Sequence, residues 1–200
     1  MSSTTSIRAR PRSKHWLVSH AAPDEHFKRF AHLPKTVAQI LYNRGLTDPE
    51  TVTAFLARAG AGTSADLFRL KGLNSALDRI NAAIRAREPI AIYGDYDVDG
   101  VTATALLVQT LAAFGADVRP YIPHRADEGY GLNVEALDLL KSEGVRLVVT
   151  VDCGVRSLDE AAHARAIGLD LIISDHHMPG DSLPQAVAVI NPKQAGCPYP

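Results

Sequence analysis

Three aspartates stand at alternate positions in the segment Ile90-Ala-Ile-Tyr-Gly-Asp-Tyr-Asp-Val-Asp-Gly-Val101, directly after a short β-branched run. Asp95, Asp97 and Asp99 repel one another when they are ionised, so gathering them costs free energy unless a cation lies among them. A divalent metal ion is the simplest such cation. The segment therefore predicts a metal site.

Two further apolar runs end in residues of the same chemistry. Asp152 follows the run Leu147–Val151, and Asp175, His176 and His177 follow the next run along the chain. In an open parallel sheet, ligands bind beyond the carboxyl ends of the strands, so we expect these residues to meet at one edge. Carboxylates with one or two imidazoles and no thiolate suit Mn²⁺ or Mg²⁺ better than structural zinc.

The spacing of the acids favours two ions. Asp152 stands alone at its strand end and is the natural carboxylate to bridge two ions roughly 3.5–4 Å apart, the arrangement of two-metal phosphoryl chemistry. Asp97 and Asp99 are two residues apart in a turn, so we expect each to face a different ion.

The histidine pair is expected to divide its roles. Adjacent residues usually point in different directions, so we expect His176 to bind metal and His177 to reach a substrate phosphate. Asp175 would lie behind His176 and orient its ring. For the pair by itself, a role without metal stays open.

A calcium-binding loop and a plain surface turn fit the aspartate cluster less well than a transition-metal or magnesium site does. The run from Asp95 formally begins an EF-hand calcium loop, but Leu106 stands at the position where that loop needs Glu, and a strand-like run precedes it. A simple Asp-Gly surface turn would not be followed by a long stretch of helix-prone apolar residues.

A third polar segment, Pro123–Asn133, follows the predicted second strand and should reach the same edge of the sheet. Arg125 can bind a phosphate through two hydrogen bonds, and Tyr130 can stack on a nucleobase. The alternative is an ordinary loop that ends where Asn133 caps the next helix.

An alternation of strands and helices must position these side chains. Strand-like runs are predicted at 90–93, 118–122, 147–151, 171–173 and 187–190, with helical patterns between them. Nearly continuous apolar strands in repeated βα units predict an α/β fold, with helices on both faces of a parallel sheet. The segment Ser157-Leu-Asp-Glu160 has the form of a capping box that opens one of these helices.

Charge divides the chain into two halves. Residues 1–89 carry 14 Lys and Arg against 7 Asp and Glu, whereas residues 90–200 carry 7 against 15. This asymmetry is expected if the front half meets a polyanion and the back half holds cations. We predict a flexible basic N-terminus at 1–33, a small helical region at 34–88, the α/β domain at 89–195 and the start of a truncated remainder at 196–200.

Several classes of protein are disfavoured. Cys153 and Cys197 are too few and too far apart for a disulfide framework or a structural zinc site. No apolar run reaches about 18 residues, so no membrane span is predicted. No apolar segment follows the basic N-terminal residues, so we expect a cytosolic protein and not a secreted one.

The motifs, taken in order, resemble a known family. Gly94-Asp-Tyr-Asp-Val-Asp-Gly100, Asp152-Cys-Gly154 and Asp175-His-His177 resemble the motifs of the DHH phosphoesterase superfamily. His124-Arg125 and Gly129-Tyr-Gly-Leu132 extend the similarity to the RecJ branch, over roughly residues 70–195. The resemblance implies a single-stranded-DNA-specific exonuclease of DNA repair and recombination, which digests from the 5′ end with Mn²⁺ or Mg²⁺.

The resemblance also implies the roles of individual residues. The metal ligands fall on Asp97, Asp99, Asp152 and His176, with Asp95 a ligand or a neighbour and His177 near the substrate phosphate. Asp152 and His177 would then be catalytic, and Arg125, Tyr130 and His177 would contact single-stranded DNA. Family members supply a further metal-binding Asp and a C-terminal domain downstream, so the resemblance implies an N-terminal fragment, whose own activity stays open. It implies no particular protein partner.

Two alternatives remain. A DHH phosphoesterase for small substrates, such as short oligonucleotides, cyclic dinucleotides or pyrophosphate, would not need the basic front half. A non-catalytic scaffold that binds nucleic acid would not need Asp97, Asp99, Asp152 and His176 together.

Overall fold

The computed structural model describes residues 18–57, 67–124, 127 and 129–199. The chain forms two compact units, divided between residues 63 and 64. Among the described helices, none has both the length and the apolar character needed to cross a membrane.

In its described residues, the first unit contains three short helices: α1 (Asp24–Arg29), α2 (Lys35–Asn43) and α3 (Pro49–Leu56). Its buried core consists of Phe30, Ala38, Leu41 and Val52. The carboxylate of Asp48 caps α3 by accepting a hydrogen bond from the amide of Thr51 at 2.9 Å. Residues 24–29 fall in the segment predicted to be flexible, but they are helical because Phe30 anchors them in this core.

The second unit contains a parallel sheet of five strands within the described residues: β1 (Ile90–Tyr93), β2 (Val118–Tyr121), β3 (Leu147–Val151), β4 (Asp170–Ser174) and β5 (Ala188–Ile190). The strands lie in the order β2-β1-β3-β4-β5. Four helices accompany them: α4 (Leu73–Ala86), α5 (Val98–Ala113), α6 (Val134–Ser142) and α7 (Leu158–Ala166).

The alternation of side chains along β1 separates two hydrophobic cores. Ala91 and Tyr93 pack in a core with α6 and α7, whereas Ile90 and Ile92 pack in a core with α4 and α5. The prediction of a parallel sheet with helices on both faces is therefore confirmed. Helix α4 belongs with the sheet, so the observed division of the chain differs from the predicted boundary at residue 88.

The carboxyl ends of β1 to β4 lie level with one another at one edge of the sheet. Tyr93 pairs with Tyr121 on one side and with Thr150 on the other, and Val151 pairs with Ser174. From β1 the chain continues to β2 on one side, but from β3 it continues to β4 on the other. The ends of β1 and β3 therefore flank the topological switch point, where open α/β sheets bind ligands.

One of the two predicted helix caps in this unit forms. The side chain of Asn133 accepts a hydrogen bond from the amide of Ala136 at 2.7 Å and caps α6. The capping box predicted at Ser157 does not form. Its ψ of 69° lies outside the extended conformation of a cap residue, and its amide instead closes a turn onto the carbonyl of Gly154 at 3.0 Å.

Helix α5 begins in close contact with the chain that leaves β1. A Cβ on Gly100 would lie 2.5 Å from both the amide nitrogen and the carbonyl oxygen of Asp95. A Cβ on Gly94 would lie 2.0 Å from the hydroxyl of Thr104. The lack of a side chain at these positions therefore lets the acidic segment lie against its own helix.

We expect Gly100→Ala to destabilise the protein by about 2 kcal/mol or more, because overpacking against the Asp95 backbone outweighs the roughly 1 kcal/mol by which helices favour alanine over glycine. Gly180→Ala is the matched control, since its nearest non-neighbouring atom would be the Ser182 carbonyl at 3.7 Å. The control should change the free energy of unfolding by no more than about 0.5 kcal/mol. Urea unfolding measures both, and indistinguishable midpoints would contradict the close-approach argument.

Candidate metal centre

The first two aspartates of the cluster lie at the carboxyl end of β1. Asp95 is buried, and its carboxylate accepts a hydrogen bond from the amide of Tyr96 at 2.7 Å. Asp97 is the N-cap of α5 and accepts hydrogen bonds from the amides of Gly100 at 3.1 Å and Asp99 at 2.9 Å. These bonds, with that of Gly100 foremost, hold the pKa of Asp97 below its usual range, so it is ionised at neutral pH.

Asp99 is placed differently from the prediction. Asp97 and Asp99 were predicted to share a turn and to face different ions, but the helix begins at Val98, so Asp97 is its N-cap and Asp99 lies inside its first turn. Within the described part of the chain, it belongs to neither group of side chains whose ligand atoms converge. It lines a cavity together with Asp152 and His176, and so remains next to the site.

Asp152 follows β3 in a left-handed backbone conformation, with φ of 64°. Few residues other than glycine adopt this conformation, although aspartate tolerates it better than most. The buried hydroxyl of Thr150 holds the turn by donating to the carbonyl of Cys153 at 2.8 Å and accepting from the amide of Ser174 at 3.3 Å. The turn directs the Asp152 carboxylate toward the histidine pair.

The carboxylate of Asp152 lies among charged neighbours. Its Oδ1 is 2.8 Å from Nε2 of His176. Burial raises the pKa of Asp152, and the negative charge of Asp97 raises it further, against the opposing effect of the His176 hydrogen bond. Two acids therefore compete for ionisation here, which is the electrostatic situation that a bound cation relieves.

Asp175 orients His177 and not His176, so the predicted pairing was wrong. One carboxylate oxygen of Asp175 accepts from the backbone amide of His177 at 3.0 Å and lies 2.8 Å from its Nδ1. The other oxygen accepts from the amide of Val155 at 2.9 Å. Burial opposes ionisation of Asp175, but these hydrogen bonds prevail and lower its pKa.

The two histidine rings lie on the same side of the chain. Their centroids are 4.6 Å apart, so the prediction that His176 and His177 point in different directions is wrong. That prediction assumes an extended strand. The chain instead turns at this point, where the side chain of Asp175 bonds the amide two residues on.

Two groups of ligand atoms converge among the described residues. One contains Asp95, Asp97 and Asp152, the other Asp152, His176 and His177, and in each group the atoms lie within 4.8 Å of one another. Asp152 is common to both groups, which is the position that a bridging carboxylate requires. Carboxylate oxygens and imidazole nitrogens are also the donors that suit Mn²⁺ or Mg²⁺, so the residues present fit such ions.

Tyr130 brings the loop after β2 to this centre. Its hydroxyl donates to the carbonyl of Asp152 at 3.4 Å, and its ring meets that of His177 edge to face at 6.4 Å. The hydroxyl of the buried Tyr93 donates to the carbonyl of Gly131 at 2.9 Å and so helps to hold the loop in place. Tyr130 and Gly131 of this loop therefore lie at the same edge as the acids, as expected.

Each histidine of the pair lines a different cavity. One, of about 650 Å³, is lined by Asp99 and His176 together with apolar residues such as Leu106. The other, of about 600 Å³, is lined by His177, Tyr130, Arg156 and Met178, among others. Arg125, the predicted phosphate ligand, lies outside the described residues.

Sequence reasoning missed Asn191. This residue is completely buried directly after β5, and its side-chain amide donates to the carbonyl of His177 at 2.9 Å. The rule that identifies Asp152 and Asp175, a polar residue directly after an apolar strand, applies equally to Asn191. The sequence therefore contains a signal for this residue.

Comparison with known proteins identifies relatives of this chain. The model of the DHH family, N-terminal domain, matches residues 89–198. The single-stranded-DNA-specific exonuclease RecJ of Bacillus subtilis is 46% identical over 169 residues, which cover 84% of this chain and 21% of that protein. The chain spans about a fifth of the length of the curated relatives that it matches.

Two solved structures resemble the chain. A crystal structure of exonuclease RecJ bound to manganese aligns with a TM-score of 0.60 and 42% identity, over 65% of this chain and 33% of that one. RecJ from Thermus thermophilus in complex with Mn²⁺ aligns with a TM-score of 0.59 and 30% identity, over 90% of this chain and 25% of that one.

The raised pKa of Asp152 predicts opposite effects of Asp152→Asn with and without metal. An acid whose pKa is raised on folding destabilises the fold once pH exceeds its unfolded pKa, near 4. Without metal at pH 7, the neutral variant should therefore have a Tm equal to or above that of the wild type, and this difference should vanish below about pH 3.

With Mn²⁺ present, the order should reverse, because only the wild type retains the shared carboxylate. Thermal unfolding of the wild type and the variant, first with EDTA and then with Mn²⁺, measures the difference in Tm under both conditions. A metal-free variant that is clearly less stable than the wild type at pH 7 would contradict the assigned charge balance.

Proposed function

This chain belongs to the DHH family, and on that premise we propose that it forms the metal-binding part of a single-stranded-DNA-specific exonuclease. The observation that carries the proposal is the position of Asp152, which takes part in both converging groups at the switch point of the sheet. The similarity to RecJ of Bacillus subtilis and to manganese-bound RecJ structures supports the same function.

The donor atoms would hold two divalent ions, Mn²⁺ or Mg²⁺. Asp95 and Asp97 would serve one ion, His176 would serve the other, and Asp152 would lie between them. Asp99 remains a predicted ligand that approaches from the adjoining cavity. When bound, such ions polarise a phosphodiester and lower the pKa of an attacking water.

The protein side chains would position the substrate. Asp175 engages Nδ1 of His177, which leaves Nε2 of that ring for the substrate phosphate or an ion. Tyr130 is more than half exposed beside this ring, where an aromatic face can stack on a base. Arg125 remains a predicted phosphate ligand.

A polymer fits this arrangement better than a small substrate does. The cavities on the His176 and the His177 sides leave room for nucleotides on both sides of a phosphate held at the centre. The excess of basic residues before residue 90 suits a long polyanion. Digestion from the 5′ end, a role in DNA repair and recombination, and a cytosolic location are further parts of the proposal.

In the complete protein, Asp152→Ala should reduce hydrolysis of 5′-labelled single-stranded DNA by at least roughly 10³-fold, because it removes the group that serves both ions. Asp181→Asn is the control, since Asp181 is an exposed acid that belongs to neither converging group among the described residues. It should leave the rate within about twofold. Retention of substantial activity in Asp152→Ala would refute the assigned role.

Counting bound Mn²⁺ in this 200-residue chain separates the enzyme from a scaffold. We expect close to two ions per chain in the wild type, because two converging groups are present. Equilibrium dialysis with metal analysis gives the number. A chain that binds none, while remaining folded, would favour a non-catalytic nucleic-acid-binding scaffold.

A further inference from the structure

Asn191 connects the last strand to the histidine pair. It is completely buried and stands directly after β5. Its side-chain amide donates to the carbonyl of His177 at 2.9 Å, and its side-chain oxygen accepts from the amide of Lys193 at 2.8 Å. Both polar atoms are therefore paired with backbone groups.

The histidine turn is held by the chain at the end of β5 at two points. The amide of Asp175 donates to the carbonyl of Ile190 at 3.1 Å, and Asn191 bonds the carbonyl of His177. Between these points, Asp175 bonds both the amide and Nδ1 of His177. The first and last residues of the turn, Asp175 and His177, are thus hydrogen-bonded to the consecutive residues Ile190 and Asn191 at the end of β5.

This attachment matters because the side chain of His177 is about half exposed, with a relative accessibility of 48%. Its ring is oriented by the contact of Nδ1 with Asp175 and meets the rings of Tyr130 and His176. The position of Nε2 therefore depends on Asp175 and on where the backbone of His177 lies. His177 belongs with Asp152 and His176 to one of the two converging groups of ligand atoms, and removing a hydrogen bond that orients such a histidine typically changes metal affinity 10- to 100-fold.

We propose that Asn191 is a positioning residue, which acts through the carbonyl of His177 to keep the imidazole within reach of Asp152 and His176. The proposal rests on the proposed function for its consequence, which is metal affinity. Its structural content is independent of metal, since it concerns the geometry of the His177 turn in the free protein.

Gln194 provides a matched control in the same loop. It is also buried, and its side-chain amide donates to the carbonyls of Val189 at 2.8 Å and Lys71 at 3.3 Å. Among the described residues, the side-chain hydrogen bonds of Gln194 go to these two carbonyls and not to the histidine pair. A loss of general stability should therefore be common to both positions, whereas an effect on His177 should be specific to Asn191.

The first measurement is Mn²⁺ affinity by calorimetric titration of the 200-residue chain, comparing Asn191→Leu with Gln194→Met. Each variant removes a buried carboxamide while keeping a similar volume, so both should lower Tm. We expect Asn191→Leu to weaken Mn²⁺ binding about 10-fold and Gln194→Met to change it less than about twofold. Equal effects on Mn²⁺ binding in the two variants would overturn the proposal.

The second measurement uses metal-free protein and keeps the proposal separate from the proposed function. Long-range ¹H–¹⁵N spectra report the histidine rings, and a His177→Ala variant identifies the His177 signals. We expect these signals to shift or broaden in Asn191→Leu but not in Gln194→Met. If the wild type binds no Mn²⁺, the proposed function fails while these spectra still decide the role of Asn191, and unchanged His177 signals in Asn191→Leu would overturn it.

Discussion

The free-energy cost of burying the carboxylate of Asp152 and holding it close to that of Asp97 is the constraint around which this site is built. The pKa of Asp97 is lowered and that of Asp152 is raised, so the fold holds one acid firmly ionised beside a second that resists ionisation. Nothing in the local chain favours this proximity. The free energy comes from the packed sheet, whose two cores fix the ends of β1 and β3 side by side.

Hydrogen bonds between short side chains and the backbone transmit the rigidity of the sheet to each candidate functional group. Gly100 and Asp99 donate to Asp97, Thr150 secures the turn that carries Asp152, and the end of β5 holds the histidine turn. None of these contacts depends on a long flexible side chain. The candidate donor atoms are thereby arranged without an ion, so a bound metal would not need to order these loops.

The parts of the fold that follow strong periodicity were predicted well. The five strands, the alternation with helices and the cap at Asn133 all follow from local patterns that tertiary contacts reinforce. The predictions were wrong where contacts between residues far apart in the sequence override local patterns. Helix α4 looked like part of the helical front region, since nothing in its own residues reveals that Ala76 and Ala83 pack against the sheet.

The composition of the metal centre can be read from the order of the residues, because parallel strands all end at the same edge and the polar residue after each strand must appear there. The order of the residues does not show which of these side chains contact one another. The pairing of Asp175 with His177, the displacement of Asp99 onto the first turn of α5 and the support from Asn191 depend on turns only a few residues long. The histidine turn in particular is held by segments that lie far apart in the chain, namely Val155 and the end of β5. Those contacts exist only once the sheet has formed, so the tertiary structure alone decides them.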